Sequence, residues 1–112
     1  MPEPRTYESQ TFCPVARTLD VVGDRWTILI LRDLSFGRRR YSTLQASLNG
    51  ISTNLLSERL KKLEVHGMIE RVFYTDHPPR AEYKLSAKGR AFVPVLIAMR
   101  TFGEEWETPT TD

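Results

Sequence analysis

The sequence has a single cysteine, Cys13, among its 112 residues. One cysteine cannot form a disulfide within the chain, and no other residues supply the remaining ligands of a structural zinc site. No apolar run approaches the roughly 18 residues of a membrane-spanning helix, and the polar segment 1–10 lacks the apolar region of a signal peptide. We therefore expect a cytoplasmic protein of one domain, with no membrane contact and no metal or other cofactor.

Motifs that enzymes use are also missing. The sequence has no glycine-rich loop for phosphate groups and no pair of carboxylates in a defined setting. Cys13 could pair with His66 or His77 as nucleophile and base, but both histidines are predicted to lie remote from the helix that follows Cys13. The sequence therefore predicts that the protein is not an enzyme.

Charge is unevenly distributed along the chain, although the net charge is only +2. Between Arg32 and Arg90 there are twelve lysines and arginines against six acidic residues. After Arg100 the chain carries four acidic residues and no basic one. A basic centre indicates a surface for a polyanion such as nucleic acid, although charge alone also fits an ordinary solvated surface.

The first three helices are predicted from apolar spacing and from residues that favour helix ends. Pro14 begins the first helix, which stops at Gly23. Asp24 caps a second helix that is apolar nearly all round, and this helix should therefore be central and buried. Ser42 and Gln45 are predicted to form a capping box at the start of a short third helix.

The third and fourth helices form a helix-turn-helix pattern. Asn49-Gly50 separates them, and Ser52 caps a fourth helix that carries leucines on one face and polar side chains on the other. Such polar side chains can hydrogen-bond to base edges in a major groove. The residues predicted to read bases are Thr53, Asn54, Ser57, Glu58 and Lys61. A solvated helix face, with Glu58 paired to Lys62, is the alternative.

A β-hairpin is predicted to follow this helix directly, as the wing of a winged helix. Its strands span 68–75 and 81–85, and the two prolines in the loop between them exclude helix and stiffen the turn. Ser86 then caps a last helix that runs to about Glu107, with a kink expected at Pro94.

Residues around the reading helix are predicted to contact DNA phosphates, which positions the protein without reading sequence. The arginine triplet 38–40 precedes the helix that crosses the backbone, and the wing tip should lie along the flanking minor groove or backbone. These predicted contacts are Arg38, Arg39, Arg40, Ser42, Lys62, His77 and Arg80. Arg80 could instead pair with Glu82 or Glu70, and the triplet could simply be solvated.

Taken in order, these pieces make the sequence resemble the HxlR family of winged-helix bacterial regulators, which is related to the MarR group. The resemblance covers residues 13–106 and depends on the order of many short pieces. The matching pieces are Cys13-Pro14-Val15 with Leu19, Gly23 and Arg25-Trp26, then Arg39-Arg40-Tyr41 with Leu44, Gly50-Ile51-Ser52 with Leu56, Leu60-Lys61-Lys62-Leu63-Glu64, Gly67-Met68-Ile69 with Arg71, Pro78-Pro79-Arg80, Glu82-Tyr83, Leu85-Ser86 and Gly89-Arg90. Tyr41 stands where phenylalanine is more often expected, and this keeps the ring and adds a hydroxyl.

The resemblance implies a mainly α fold with a small β-hairpin. A polar arm over 1–12 precedes a winged helix-turn-helix domain over 13–107, and a tail over 108–112 follows it. It also implies a sequence-specific transcriptional regulator, a repressor or activator, that binds a pseudo-palindromic duplex operator as a homodimer through its first and last helices. The residues predicted to form the dimer interface are Phe92, Leu96, Met99, Phe102 and Trp106.

Regulation and one competing function stay open at this point. Backbone N–H groups at a helix start stabilise a thiolate, so Cys13 is a candidate redox or electrophile sensor, and a half-buried structural cysteine is the alternative. The resemblance implies such sensing for some family members. A small-molecule effector bound between subunits is a further candidate partner. The competing function is a winged helix used for protein–protein contact without specific DNA binding, which the basic centre disfavours.

Overall fold

The computed structural model describes residues 11–76 and 79–110, and within these ranges it is mostly helical with one antiparallel hairpin. The helices are α1 (Pro14–Val22), α2 (Arg25–Ser35), α3 (Tyr41–Ser47), α4 (Thr53–Val65), α5 (Ala87–Ala91) and α6 (Val93–Trp106). The strands are β1 (Ile69–Asp76) and β2 (Pro79–Leu85). This order confirms the predicted winged helix-turn-helix fold.

Side-chain caps at three helix starts agree with the sequence prediction. Asp24, Ser52 and Ser86 each accept a hydrogen bond from the backbone N–H three residues further on, at 3.0, 3.1 and 3.1 Å respectively. Each cap satisfies one of the N–H groups that have no partner within the helix. The starts of α2, α4 and α5 are therefore set by local sequence.

Two other helix boundaries differ from the prediction. The capping box at Ser42 is wrong, because α3 begins at Tyr41 with Arg40 as its N-cap residue and no side-chain cap. Arg40 has an extended backbone there and forms a β-bridge with Glu82. The predicted last helix is two helices that meet at Phe92, and Pro94 lies in the first turn of α6. A proline is tolerated in a first turn, where its missing N–H would have no helical partner.

The core surrounds α2, as its apolar sequence predicts. Ile30 and Leu31 are completely buried, and one side of α4 contributes Leu56, Leu60 and Leu63 to the same cluster. The remaining buried apolar residues of this cluster are Val22, Leu34, Leu44, Leu48, Ile51, Met68, Ile69 and Leu85. The buried leucine face of α4 leaves its opposite face outward, and this fixes the orientation of α4 on the core.

The hairpin is longer than predicted. Its strands pair from Ile69 opposite Leu85 to Asp76 opposite Pro79, with an irregularity between Phe73 and Thr75. The predicted five-residue loop is therefore wrong, since both strands continue into it. Pro79 is compatible with this arrangement because it is the first residue of its strand.

The loop before α3 pairs with β2 through a single isolated β-bridge. The backbone N–H of Tyr83 donates to the carbonyl of Arg39 at 2.8 Å, and Arg40 bridges Glu82 next to it. The wing is therefore attached to the start of α3 through backbone atoms.

Candidate nucleic-acid interface

The outward face of α4 carries the residues that the sequence predicts to read bases. Thr53, Asn54, Ser57, Glu58 and Lys61 are all exposed in the structure. Ser52 caps this helix, and the buried leucines fix its rotation about its own axis. The five side chains are thus presented together on one helix, in a geometry compatible with entry into a major groove.

Glu58 forms an ion pair with Arg59, a residue that the sequence prediction did not include in the site. Arg59 Nη1 lies 3.3 Å from Glu58 Oε1, and Arg59 Nε lies 3.4 Å from Asp24 Oδ1 at the start of α2. Asp24 also accepts a hydrogen bond from the hydroxyl of Thr27 at 2.7 Å. Arg59 therefore connects α4 to the cap of the central helix α2.

Opposing effects set the pKa of the Asp24 carboxyl group. Burial alone would raise its pKa, but hydrogen bonds from the Thr27 hydroxyl and N–H and the charges of Arg59 and Lys62 outweigh burial. The net result is a pKa below the ordinary value of 3.8, so the carboxylate form is stabilised in the folded protein.

Tyr41 joins the start of α3 to the start of α4. Its hydroxyl donates to the backbone carbonyl of Thr53 at 2.8 Å and lies 3.2 Å from Ser57 Oγ. The extra hydroxyl noted at this position in the sequence thus contacts the proposed reading surface. One of the predicted base-reading residues, Ser57, is already hydrogen-bonded within the protein.

The arginine triplet divides into residues with different surroundings. Arg38 Nη1 lies 3.4 Å from Asp33 Oδ1, whereas Arg40 Nε lies 3.5 Å from Glu82 Oε1 and its guanidinium lies over the Tyr74 ring at 4.6 Å. Arg39 is exposed and, within the described residues, forms no ion pair. The three arginines are therefore not equivalent, and Arg39 has the guanidinium most available to a phosphate.

Asp33 is a buried acidic residue that the sequence prediction did not single out. It is completely buried, and Arg32 donates to its Oδ1 through Nη2 at 2.9 Å and Nε at 3.1 Å. The backbone carbonyl of Asp33 also accepts the N–H of Arg38 at 3.0 Å. A lone acidic residue inside an apolar helix, followed by several arginines, is the signal that could have indicated this buried anchor.

The wing and the start of α3 enclose a cleft of about 330 Å³. Its lining includes Arg40, Ser42 and the exposed Arg80, three of the predicted phosphate contacts. Glu82 and Glu70, the alternative partners considered for Arg80, lie against Arg40 and Lys84 instead. Lys62 is half-buried on α4, and His77 lies outside the described residues.

Apolar side chains remain uncovered on the first and last helices. On α1 and just before it, Phe12 and Val15 are 93% and 69% exposed, and on α6, Phe102 and Trp106 are 61% and 67% exposed. The other residues of the predicted stripe are Met99, which is exposed, and Phe92 and Leu96, which are half-buried against the core. Exposure of several large apolar side chains together is typical of a surface that another molecule covers.

Cys13 is the N-cap residue of α1 and is a half-buried free thiol. Within the described ranges, no group of three or more histidine, cysteine, aspartate or glutamate side chains is arranged to hold a metal ion. None of the described helices is long and apolar enough to cross a membrane.

Comparison with known proteins connects this geometry to a family. A family model described as HxlR-like helix-turn-helix matches residues 21–111. The uncharacterized HTH-type transcriptional regulator sll1512 of Synechocystis sp. is 45% identical over 100 residues, which cover 89% of this chain and 74% of the relative. The crystal structure of PA1607 has a TM-score of 0.83 at 40% identity and covers 96% of this chain and 74% of the other. The redox regulator HypR in its oxidized form has a TM-score of 0.79 at 30% identity, over 88% of this chain and all of HypR.

Proposed function

The chain belongs to the HxlR-like helix-turn-helix family of transcriptional regulators, and we propose that it acts as a homodimer on a pseudo-palindromic operator in the cytoplasm. The observation that carries this proposal is the polar outer face of α4, bordered by the start of α3 and opposite the buried leucines. In this proposal α4 enters the major groove, and the wing follows the flanking backbone or minor groove.

Base reading is assigned to the exposed polar side chains of α4. Asn54 can form two hydrogen bonds with adenine, and Lys61 can donate to the acceptors of guanine. Thr53 lies in the first turn of α4 and reaches either a base or a phosphate. Glu58 can accept from cytosine when it leaves Arg59, which it contacts in the free protein.

Phosphate contact is assigned first to Arg39 and Arg80, with Ser42 between them on α3. Both arginines are exposed, and neither needs to break an ion pair with another described residue. Arg38 and Arg40 also contribute positive charge near the DNA. Arg38 pairs with Asp33 and Arg40 pairs with Glu82, which supports a structural role for both arginines. They hold the loop that presents Arg39.

Dimerisation through α1 and α6 is supported by the apolar side chains that these helices leave exposed. A groove of about 480 Å³ between α2 and α6 continues this surface and includes Ile28, Leu96 and Met99. A second copy of the chain would cover it, and the small-molecule effector considered above is the competing occupant. Two-fold symmetry would then place the two copies of α4 at half-sites whose centres are about 34–36 Å apart.

A redox input at Cys13 is the proposed regulatory step. The similar structure of HypR is described as that of a redox regulator, and Cys13 lies at the start of α1, in the proposed dimer interface. A lone cysteine has no resolving partner within the chain, so oxidation would join it to the partner's cysteine or to a small thiol. Either adduct changes the packing of α1.

The test separates phosphate contacts from base contacts on an operator obtained by site selection. We expect Arg39→Ala to weaken all sequences about equally and to lower the slope of log K against log salt by about one. Asn54→Ala should instead cost about 1–3 kcal/mol mainly on the selected site. Arg25→Ala, which removes an exposed charge outside these elements, is the matched control and should change neither.

Equal weakening of random and selected DNA by Asn54→Ala would show that the reading face is misassigned. A parent protein that shows no salt-dependent binding to DNA and selects no sequence would favour the protein–protein alternative.

A further inference from the structure

Only one placement of the hydroxyl protons satisfies both hydrogen bonds at the junction of α3 and α4. The phenol of Tyr41 has a single proton, and the carbonyl of Thr53, 2.8 Å away, can only accept. The proton of Tyr41 therefore lies toward Thr53, and the Tyr41 oxygen offers lone pairs in all other directions. Ser57 Oγ, 3.2 Å from that oxygen, must then be the donor of the bond between them.

From this proton count we infer that Tyr41 is a positioning residue that makes Ser57 a hydrogen-bond acceptor toward DNA. This rests on the proposed function, in which the exposed face of α4 lies in the major groove. Because the hydroxyl proton of Ser57 is directed inward to the Tyr41 oxygen, the exposed side of Ser57 Oγ presents lone pairs.

An acceptor at this position selects for particular bases. In the major groove, adenine and cytosine present amino donors, whereas guanine and thymine present oxygen acceptors. Ser57 should therefore favour adenine or cytosine on the strand it faces. A serine hydroxyl without the Tyr41 partner could instead donate to guanine or accept from adenine.

The surroundings of Tyr41 keep this arrangement in place. Its ring is half-buried and packs against the apolar core, so the hydroxyl has little freedom to leave. The carbonyl of Thr53 has two lone pairs and can accept from Tyr41 in addition to the helical N–H bond. Phenylalanine at position 41 would retain the ring and free the proton of Ser57, which could then donate or accept.

The experiment measures binding to four duplexes that differ at one base pair of the selected operator. That position is the one whose base preference is lost in Ser57→Ala. Tyr41→Phe removes only the positioning hydroxyl, and Tyr83→Phe is the matched control because it removes a half-buried tyrosine hydroxyl in the wing. Unfolding curves of each variant check that it folds.

In the parent we expect adenine or cytosine at this position to be preferred over guanine or thymine by at least about fivefold. Tyr41→Phe should reduce that preference to less than about twofold at this position only, and adding it to Ser57→Ala should change nothing more. A merely structural role for Tyr41 would instead weaken all four duplexes equally. Should Tyr41→Phe fail to fold, the parent's preference at the position that Ser57→Ala identifies still tests the inference, because a preference for guanine or thymine there would contradict an acceptor at Ser57.

The inference is overturned if the parent prefers guanine or thymine there, if Tyr41→Phe retains the preference, or if Ser57→Ala alters no position. These outcomes leave the proposed function intact as long as the parent selects an operator. Failure of the parent to select any sequence would overturn both.

Discussion

Removing the carboxylate of Asp24 should destabilise the protein through two separate losses. The first is the N-cap of α2, whose replacement by alanine typically costs about 0.5–2 kcal/mol. The second is the partner of the Thr27 hydroxyl, which is completely buried and donates to Asp24 at 2.7 Å. A buried polar group left without a partner costs about 1–3 kcal/mol. We therefore expect Asp24→Ala to lower the free energy of unfolding by about 2–4 kcal/mol.

Adding Thr27→Val to Asp24→Ala separates the two losses. Valine has nearly the shape of threonine and carries no hydroxyl, so the double variant should be more stable than Asp24→Ala by about 1 kcal/mol or more. Asp24→Asn keeps one oxygen to cap α2, but it loses the charge opposite Arg59, a partly exposed pair that contributes about 0–1 kcal/mol, and its amide nitrogen cannot accept the hydrogen bond from the Thr27 hydroxyl. Urea unfolding at one fixed subunit concentration measures all four proteins, because the stability of the proposed dimer would depend on concentration.

The same variants carry a pH dependence whose sign follows from the lowered pKa of Asp24. A carboxyl group with a lowered pKa contributes stability that is complete above its ordinary value of 3.8 and is lost as the pH falls through the folded pKa. The stability difference between the parent and Asp24→Asn should therefore be constant near neutral pH and shrink below about pH 4. An Asp24→Ala cost below about 1 kcal/mol, or no rescue by Thr27→Val, would refute this account.

The remaining predictions concern packing, assembly and regulation. Gly89→Ala should lower the free energy of unfolding by about 1–3 kcal/mol, because the added Cβ would clash with the backbone carbonyl oxygen of Met68. An unchanged urea midpoint would contradict this prediction. Phe102→Glu and Trp106→Glu should each shift the protein from a dimer to the 12.9 kDa monomer in sedimentation. A parent protein that binds operator DNA as a monomer would contradict the proposed dimer. Diamide should weaken operator binding by the parent and leave Cys13→Ser unaffected; full binding by a parent whose thiol is fully modified would make Cys13 a structural residue.

Local chemistry was sufficient to predict the parts of the fold that depend on neighbours in sequence. The caps at Asp24, Ser52 and Ser86 each involve atoms three residues apart, so their patterns are readable directly. The apolar spacing of α2 and α4 likewise identified the buried faces. The predicted base-reading residues are exposed together because they share one helix with a single buried side.

Contacts between distant segments explain what the sequence did not predict. The capping box at Ser42 failed because the backbone of Arg40 is engaged by the wing more than forty residues later. The arginine triplet looked uniform in sequence, and only the positions of Asp33 and Glu82 in space make its members different. The bond between Tyr41 and Ser57 depends on the angle between two helices, which no local pattern specifies.

The backbone bond between the wing and the loop before α3 also bears on aggregation. In a strand, alternate N–H groups point to the same side, so Pro79, Ala81 and Tyr83 share the edge of β2 that faces away from β1. Proline has no N–H, and that of Tyr83 already donates to Arg39. An incoming strand from another molecule could therefore accept a hydrogen bond from Ala81 on this edge, but not from Pro79 or Tyr83 on either side of it. This edge of the hairpin is therefore a poor template for the addition of a strand from another copy of the protein.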